Sequence, residues 1–251
     1  MRTKVNVFLT AVIVAASFAG VQKSYGQITL GGKEGVLGIR AGVNFSTISG
    51  DMEDAKMKPG IQLGVVANFP MKNKKLTFQP GLIFAQQGAK WKDSETERKL
   101  GISYEMDTEM KMVLNYLQLP VNLLYRHELN SGNILLLQAG PYLGYGISGK
   151  SKFKETANFS GLSKQELELL QSYGISTNIS ESSEENINFG SDKKKHDFKS
   201  FDLGLGIGAG LLFNEKFQVG LGYNLGLADI GHYFVVKNNC VSLTLTLMLG
   251  Q

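Results

Sequence analysis

Val241-Ser-Leu-Thr-Leu-Thr-Leu-Met-Leu249 is the stretch that decides the fold. Val241, Leu243, Leu245, Leu247 and Leu249 fall on one face of an extended chain, and Ser242, Thr244, Thr246 and Met248 fall on the other. Alternation of this kind marks a β-strand with two different environments. Residues 217–227 repeat it: Phe217, Val219, Leu221, Tyr223, Leu225 and Leu227 oppose Gln218, Gly220, Gly222, Asn224 and Gly226. Residues 201–211 do so again, with Phe201, Leu203, Leu205, Ile207, Ala209 and Leu211 against Asp202 and four glycines.

The polar face of these strands settles which side meets what. A soluble sandwich would bury its leucines and show charge outside. Here the second face is Gly, Gln, Asn, Ser and Thr, with hardly any Lys or Glu. Small and amide side chains suit the inside of a narrow barrel, and the leucines then meet lipid. Backbone groups in lipid must all be paired, so such a sheet has to close on itself.

Five further segments follow the pattern less cleanly: 36–46, 60–70, 75–90, 113–127 and 133–149. The expectation is an all-β, eight-stranded antiparallel up-and-down transmembrane β-barrel. Each segment is long enough to cross a bilayer at the usual tilt. Connections alternate in length. Turns are expected near Lys72-Asn73-Lys74, Asn130-Ser131-Gly132 and Asn214-Glu215, and long loops at 47–59, 91–112, 150–197 and 228–239. Short turns on one side and charged loops on the other are the outer-membrane pattern. Within the third long loop, Ser163-Lys164-Gln165-Glu166 has the form of a capping box. Leu167, Leu169, Leu170 and Tyr173 follow, so a short helix is expected over about 163–173.

The N-terminus reads as a secretory signal peptide over 1–26. Arg2 and Lys4 precede an apolar run, and Ser24-Tyr25-Gly26 offers small residues for cleavage before Gln27. A retained membrane anchor is the competing reading. The barrel domain is then 27–251, in the cell outer membrane. Without Arg2, Lys4 and Lys23, the 26 Lys and Arg fall to 23 against 22 Asp and Glu. The near balance leaves no basic excess to suggest nucleic acid. Cys240 is the single cysteine and has no partner for an internal disulfide. It is expected as a buried or lipid-facing small residue.

The mature chain resembles the PorT-type outer-membrane β-barrel domain over about 36–249. The stretches that carry the resemblance are Phe78-Gln79-Pro80-Gly81-Leu82 with Gln86-Gln87-Gly88-Ala89-Lys90; Tyr116-Leu117-Gln118-Leu119-Pro120-Val121; Gly140-Pro141-Tyr142-Leu143 with Ser148-Gly149-Lys150; and Phe201-Asp202-Leu203-Gly204 leading to Tyr223-Asn224-Leu225-Gly226-Leu227. The resemblance implies an eight-stranded barrel and no established enzymatic activity. The family's namesake is associated with protein secretion. The chain departs from the usual outer-membrane barrel in ending Leu247-Met248-Leu249-Gly250-Gln251, without a terminal aromatic residue.

Motifs of chemistry are few. Gly144-Tyr-Gly-Ile-Ser-Gly149-Lys150-Ser151 matches the P-loop pattern, but it closes an alternating strand and no helix begins at Lys150. Gly220-Leu-Gly222-Tyr-Asn-Leu-Gly226 is likewise strand interior and not a dinucleotide loop. No nucleotide or other cofactor is expected. His127, His196 and His232 lack metal-ligand spacing, so no metal site is expected. No catalytic residue is assigned. His196 and His232, with Asp192, Asp197 or Asp229, are the residues an alternative rim-site enzyme acting on lipid or peptide would use.

Charges on inward positions need partners. Arg40 or Arg126 is expected to pair inside the barrel with Asp202, or with Gln62, Gln118 and Gln138, in a structural polar cluster that fills the lumen. Eight strands leave an interior filled by side chains, so no wide pore is expected. The chain reads as a structural or interaction protein that displays external loops. Its expected partners are outer-membrane lipid and an envelope or secretion-complex protein, with no nucleic acid and no nucleotide.

Overall fold

The computed structural model describes residues 26–250, apart from 31, 73–74, 100–101, 161, 163, 166–167, 169–171 and 174–177. Its ten strands are β1 (Gln27–Leu30), β2 (Lys33–Gly50), β3 (Lys58–Pro70), β4 (Leu76–Lys99), β5 (Ile102–Glu128), β6 (Ile134–Ser160), β7 (Asn178–Ile187), β8 (Phe201–Phe213), β9 (Phe217–Gly226) and β10 (Val236–Met248). All are antiparallel to their neighbours.

Eight of the ten form the wall. The order runs β2-β10-β9-β8-β6-β5-β4-β3, and β3 returns to β2. The closing seams are long: Val36↔Asn68 through Ser46↔Lys58 on one side of β2, and Gly38↔Met248 through Gly50↔Val236 on the other. Closure satisfies the backbone of every wall strand, as lipid demands. The expected count of eight holds for the wall and is too low for the sheet, because β1 and β7 lie outside the ring. β1 folds back on the start of β2 as a hairpin. β7 adds to the edge of β6 above the ring.

Strand length is the main correction. β4, β5 and β6 have 24, 27 and 27 residues, where crossing a bilayer takes about 9–11. Their pairing continues without a break in direction from Leu76↔Tyr125 to Lys99↔Ile102 and from Glu128↔Ile134 to Ser103↔Ser160. The expected loop 91–112 is therefore mostly strand. Within the expected loop 150–197, residues 150–160 extend β6 and β7 returns beside them, from Gly149↔Ile187 to Asn158↔Asn178. Most of the helix expected over 163–173, and all but Gly26 of the signal peptide expected over 1–26, lie outside the described residues. Among the described residues no helix is long and apolar enough to cross a membrane, and strands make the crossing.

The turns opposite this sheet are short, which puts them on the periplasmic side and the sheet outside. Asn214 and Glu215 both have positive φ, 49° and 55°. They are the central residues of a β-turn closed by Lys216 N–H donating to Phe213 O at 2.9 Å, within a three-residue connection between the paired Phe213 and Phe217. Positive φ at both central positions is the type I′ form, whose twist matches the strands.

The outward faces carry the apolar band. Leu221, Leu243, Leu245, Ile207 and Leu63 are each at least half exposed. In water such a surface would be a large defect, and in lipid it is the required solvent. Inward glycines make room for bulkier residues on the neighbouring strand, as at the register pair Gly204↔Tyr142. A Cβ on Gly204 would lie 2.5 Å from the Tyr142 ring.

Candidate functional site: the lumen and the external sheet

The lumen is layered. At the outer mouth, Met112, Leu114 and Tyr116 of β5 pack with Ala89, Ile48 and Val236. Ile187, Phe198 and Ile230 close over them from the ends of the outer connections. Phe189 sets its ring edge-on to Tyr116, with centroids 5.5 Å apart, and lies 6.2 Å from Phe198. The mouth is thus an apolar plug, which the expectation of a polar interior did not include. One of its contacts explains the P-loop look-alike: a Cβ on Gly146 would fall 2.3 Å from the Phe189 ring. That motif lies inside β6, and its Lys150 pairs with Glu184.

Beneath the plug sits Asp202, fully buried. Asn238 Nδ2 and Tyr142 Oη donate to its Oδ2, at 3.0 and 3.3 Å. Cys240, also buried, is on the inward face near this level.

The middle of the lumen is polar and holds a cavity of about 40 Å³. Arg40, Gln62, Gln118 and Gln138 line it, so four of the six residues expected to cluster meet there. Their pairing differs from the expectation. Arg40 donates from Nε to Thr246 Oγ1 at 3.0 Å and from Nη2 to Gln79 Oε1 at 2.9 Å. Gln79 in turn donates to Asn68 Oδ1 at 2.7 Å. Asp202 is engaged one layer higher and does not line the cavity. Arg126 is not inside the cluster at all. It stands at the periplasmic end, where its Nη2 donates to both carboxylate oxygens of Glu215, at 2.7 and 2.8 Å. That pair ties the β8–β9 turn to β5 and gives Glu215 a reason to hold positive φ. A floor of Leu124, Ile134, Leu136 and Leu212 separates the two arginines. The partners Gln79 and Thr246 were legible as inward positions, but nothing in the sequence selected them over Asp202.

Outside the membrane, β4 to β7 present charged rows. Lys90, Lys111 and Lys152 stand directly opposite one another on three adjacent strands. Glu109 bonds Lys111 at 2.9 Å, and Glu184 takes both Lys150 and Lys152. Hydrogen bonds from Lys150 and Lys152 hold the Glu184 carboxyl at about 2. The hydrogen bond from Lys111, against a smaller opposing effect of burial, keeps Glu109 below the ordinary carboxylate range.

The rim histidines both sit against Gly190, where a Cβ would lie 2.5 Å from the His196 ring and whose carbonyl His232 meets. His196 Nδ1 is 3.0 Å from Asp192 O, and His232 Nε2 is 3.0 Å from Gly190 O. Asp229 is a structural knot. Burial pushes its carboxyl up, but Lys199 and the Val236 and Gly231 amides outweigh this and hold it low. Among the described residues no group of three or more His, Cys, Asp or Glu could hold a metal ion.

This closed wall with an apolar exterior and a filled lumen defines an outer-membrane β-barrel. Residues 33–231 match the model of the outer membrane protein beta-barrel domain family, and the chain belongs to that family. No curated protein matches it. Solved structures similar to it include the attachment invasion locus protein Ail of Yersinia pestis, at 17% identity and TM-score 0.34 over 85% of this chain and 96% of that one. Neisserial surface protein A is similar at 11% identity and TM-score 0.33, over 84% and 96%. The translocator domain of the autotransporter NalP from Neisseria meningitidis is similar at 10% identity and TM-score 0.27, over 98% and 96%. The chain is an outer-membrane protein. Likeness at this level extends to no ligand and no partner.

Proposed function

We propose that this chain is a structural and interaction protein without catalytic chemistry, whose filled barrel serves as a stalk for the β4–β7 sheet outside the membrane. The continuation of β4, β5 and β6 far beyond the bilayer, with β7 added at the edge, carries this reading. A barrel that only sealed itself would need none of that length. An apolar plug at the mouth and an apolar floor below argue against a wide pore through the lumen. The sheet offers a broad face of lysines and carboxylates, suited to a polar partner surface. The PorT-type resemblance directs the search for that partner to protein secretion or envelope assembly.

The test is to replace residues 92–108 and 153–184 with tight turns and cross-link in the native envelope. The shortened barrel is expected to fold, with its cross-linked protein partner lost. Full retention of the partner would overturn the proposal. Joint replacement of His196 and His232 by Gln is expected to leave lipid and envelope phenotypes unchanged.

A further inference from the structure

Arg40 is 6% exposed, and its two hydrogen bonds end on neutral oxygens, Thr246 Oγ1 and Gln79 Oε1. A guanidinium has five N–H donors and stays charged at any ordinary pH. Among the described residues no carboxylate lies within ion-pair distance of it. Asp202, the buried carboxylate the sequence suggested, is bonded to Asn238 and Tyr142 in the layer above. A buried charge without a counter-charge is costly, and truncating its surroundings to neutral dipoles relieves only part of that cost.

Arg40 lines the central cavity, and two amides there are unmatched. Gln62 Nε2 and Gln118 Nε2 have no hydrogen-bond partner, and Gln118 is 5% exposed. Two donors and a cation therefore border one small space. A glutamine can turn either end of its amide inward, but a guanidinium cannot reverse its sign. Arg40 alone fixes the polarity of the cavity.

We propose that the lumen binds a small monovalent inorganic anion, a halide such as chloride, in this cavity beside Arg40 and between Gln62 and Gln118. Size selects the class. A water needs about 10–15 Å³ of such space, so about 40 Å³ holds a few water-sized particles. A halide is slightly larger than water and fits with a companion water. A sulfate or phosphate has five heavy atoms and does not fit. The ion completes the charge balance of the lumen and braces β2, β3 and β5, the strands that carry Arg40, Gln62 and Gln118.

The test uses the full barrel, refolded in detergent, with bromide as the crystallographic probe and chloride in solution. Crystals grown in sodium bromide are expected to show an anomalous peak within hydrogen-bond reach of Arg40. Unfolding in urea is compared in sodium chloride and in sodium gluconate at equal ionic strength, gluconate being too large to enter. Chloride is expected to favour the folded state roughly fivefold, the factor for a site about four-fifths occupied. Arg40→Met should fold and lose that difference. If it does not fold, Gln118→Leu serves instead and should reduce the chloride effect at least twofold. Equal stability of the unaltered chain in both salts, together with no anomalous peak at Arg40, would overturn the proposal and leave a water-filled cavity. So would a chloride effect that persists undiminished in both variants.

Discussion

The lower and upper halves of β5 have the same backbone and different solvents. In the wall, Leu119, Val121, Leu123 and Tyr125 face outward and are all about two-fifths exposed or more. Further along the same strand and the same outward face, the residues are Asp107, Glu109 and Lys111. Both halves hold their neighbours through antiparallel ladders, with one register shift against β6 between Asn115 and Tyr116. The difference teaches that alternation reports which face a residue is on, whereas the chemistry of the outward face reports what surrounds it. Where the outward residues turn from Leu to Lys and Glu, the membrane ends and the strand does not.

The largest effect is expected where the two halves meet. Phe198→Ala opens the apolar plug and should cost about 3–5 kcal/mol in urea unfolding of the lipid-inserted barrel. A loss below about 1 kcal/mol would mean that the mouth does not couple sheet to wall. Next, Leu221→Arg places a charge in mid-band and should cost about 2–4 kcal/mol. The matching change on the external sheet, Ile179→Arg, should stay within about 0.5 kcal/mol. Equal costs would erase the distinction between the halves.

A smaller effect concerns the rim. The Asp229 carboxyl is held below its ordinary value, so its contribution is full above about pH 4 and is lost as pH falls through the folded value. Amide exchange at Gly231 and Val236 should accelerate, relative to the intrinsic rate, only on that acid side. Asp229→Asn should remove the pH dependence. The smallest effect is expected from Glu184→Gln, which breaks two exposed ion pairs. β7 amides should lose slight protection at low salt and none at high salt. In the unaltered chain the Glu184 pairs should persist until pH approaches about 2. A marked loss of β7 at high salt would show that those pairs, and not the ladder to β6, hold the strand.

Legibility in the sequence followed the same division. In the wall, Leu243 and Leu245 against Thr244 and Thr246 announced both faces, and the eight wall strands were read near their observed places. The stretch Trp91-Lys-Asp-Ser-Glu-Thr-Glu-Arg98 has no apolar alternation because both its faces meet water or polar neighbours. A strand without contrasting faces leaves no periodic trace, so its ladder to β5 was invisible. The plug was missed for another reason. Phe189 and Phe198 stand in a connection rich in charge, and only the folded chain brings them over Tyr116.

The sequence by itself determined the class: period-two alternation with leucine outward and glycine and amides inward fits a closed barrel in lipid and little else. It also determined which residues face the lumen, since a strand's alternation assigns every inward position at once. Which inward residues meet was decided by the tertiary structure alone. The stagger of strands around the ring sets the height of each side chain in the lumen. It placed Arg40 beside Gln79 and Thr246, lifted Asp202 to Asn238 and Tyr142, and left Arg126 at the floor with Glu215.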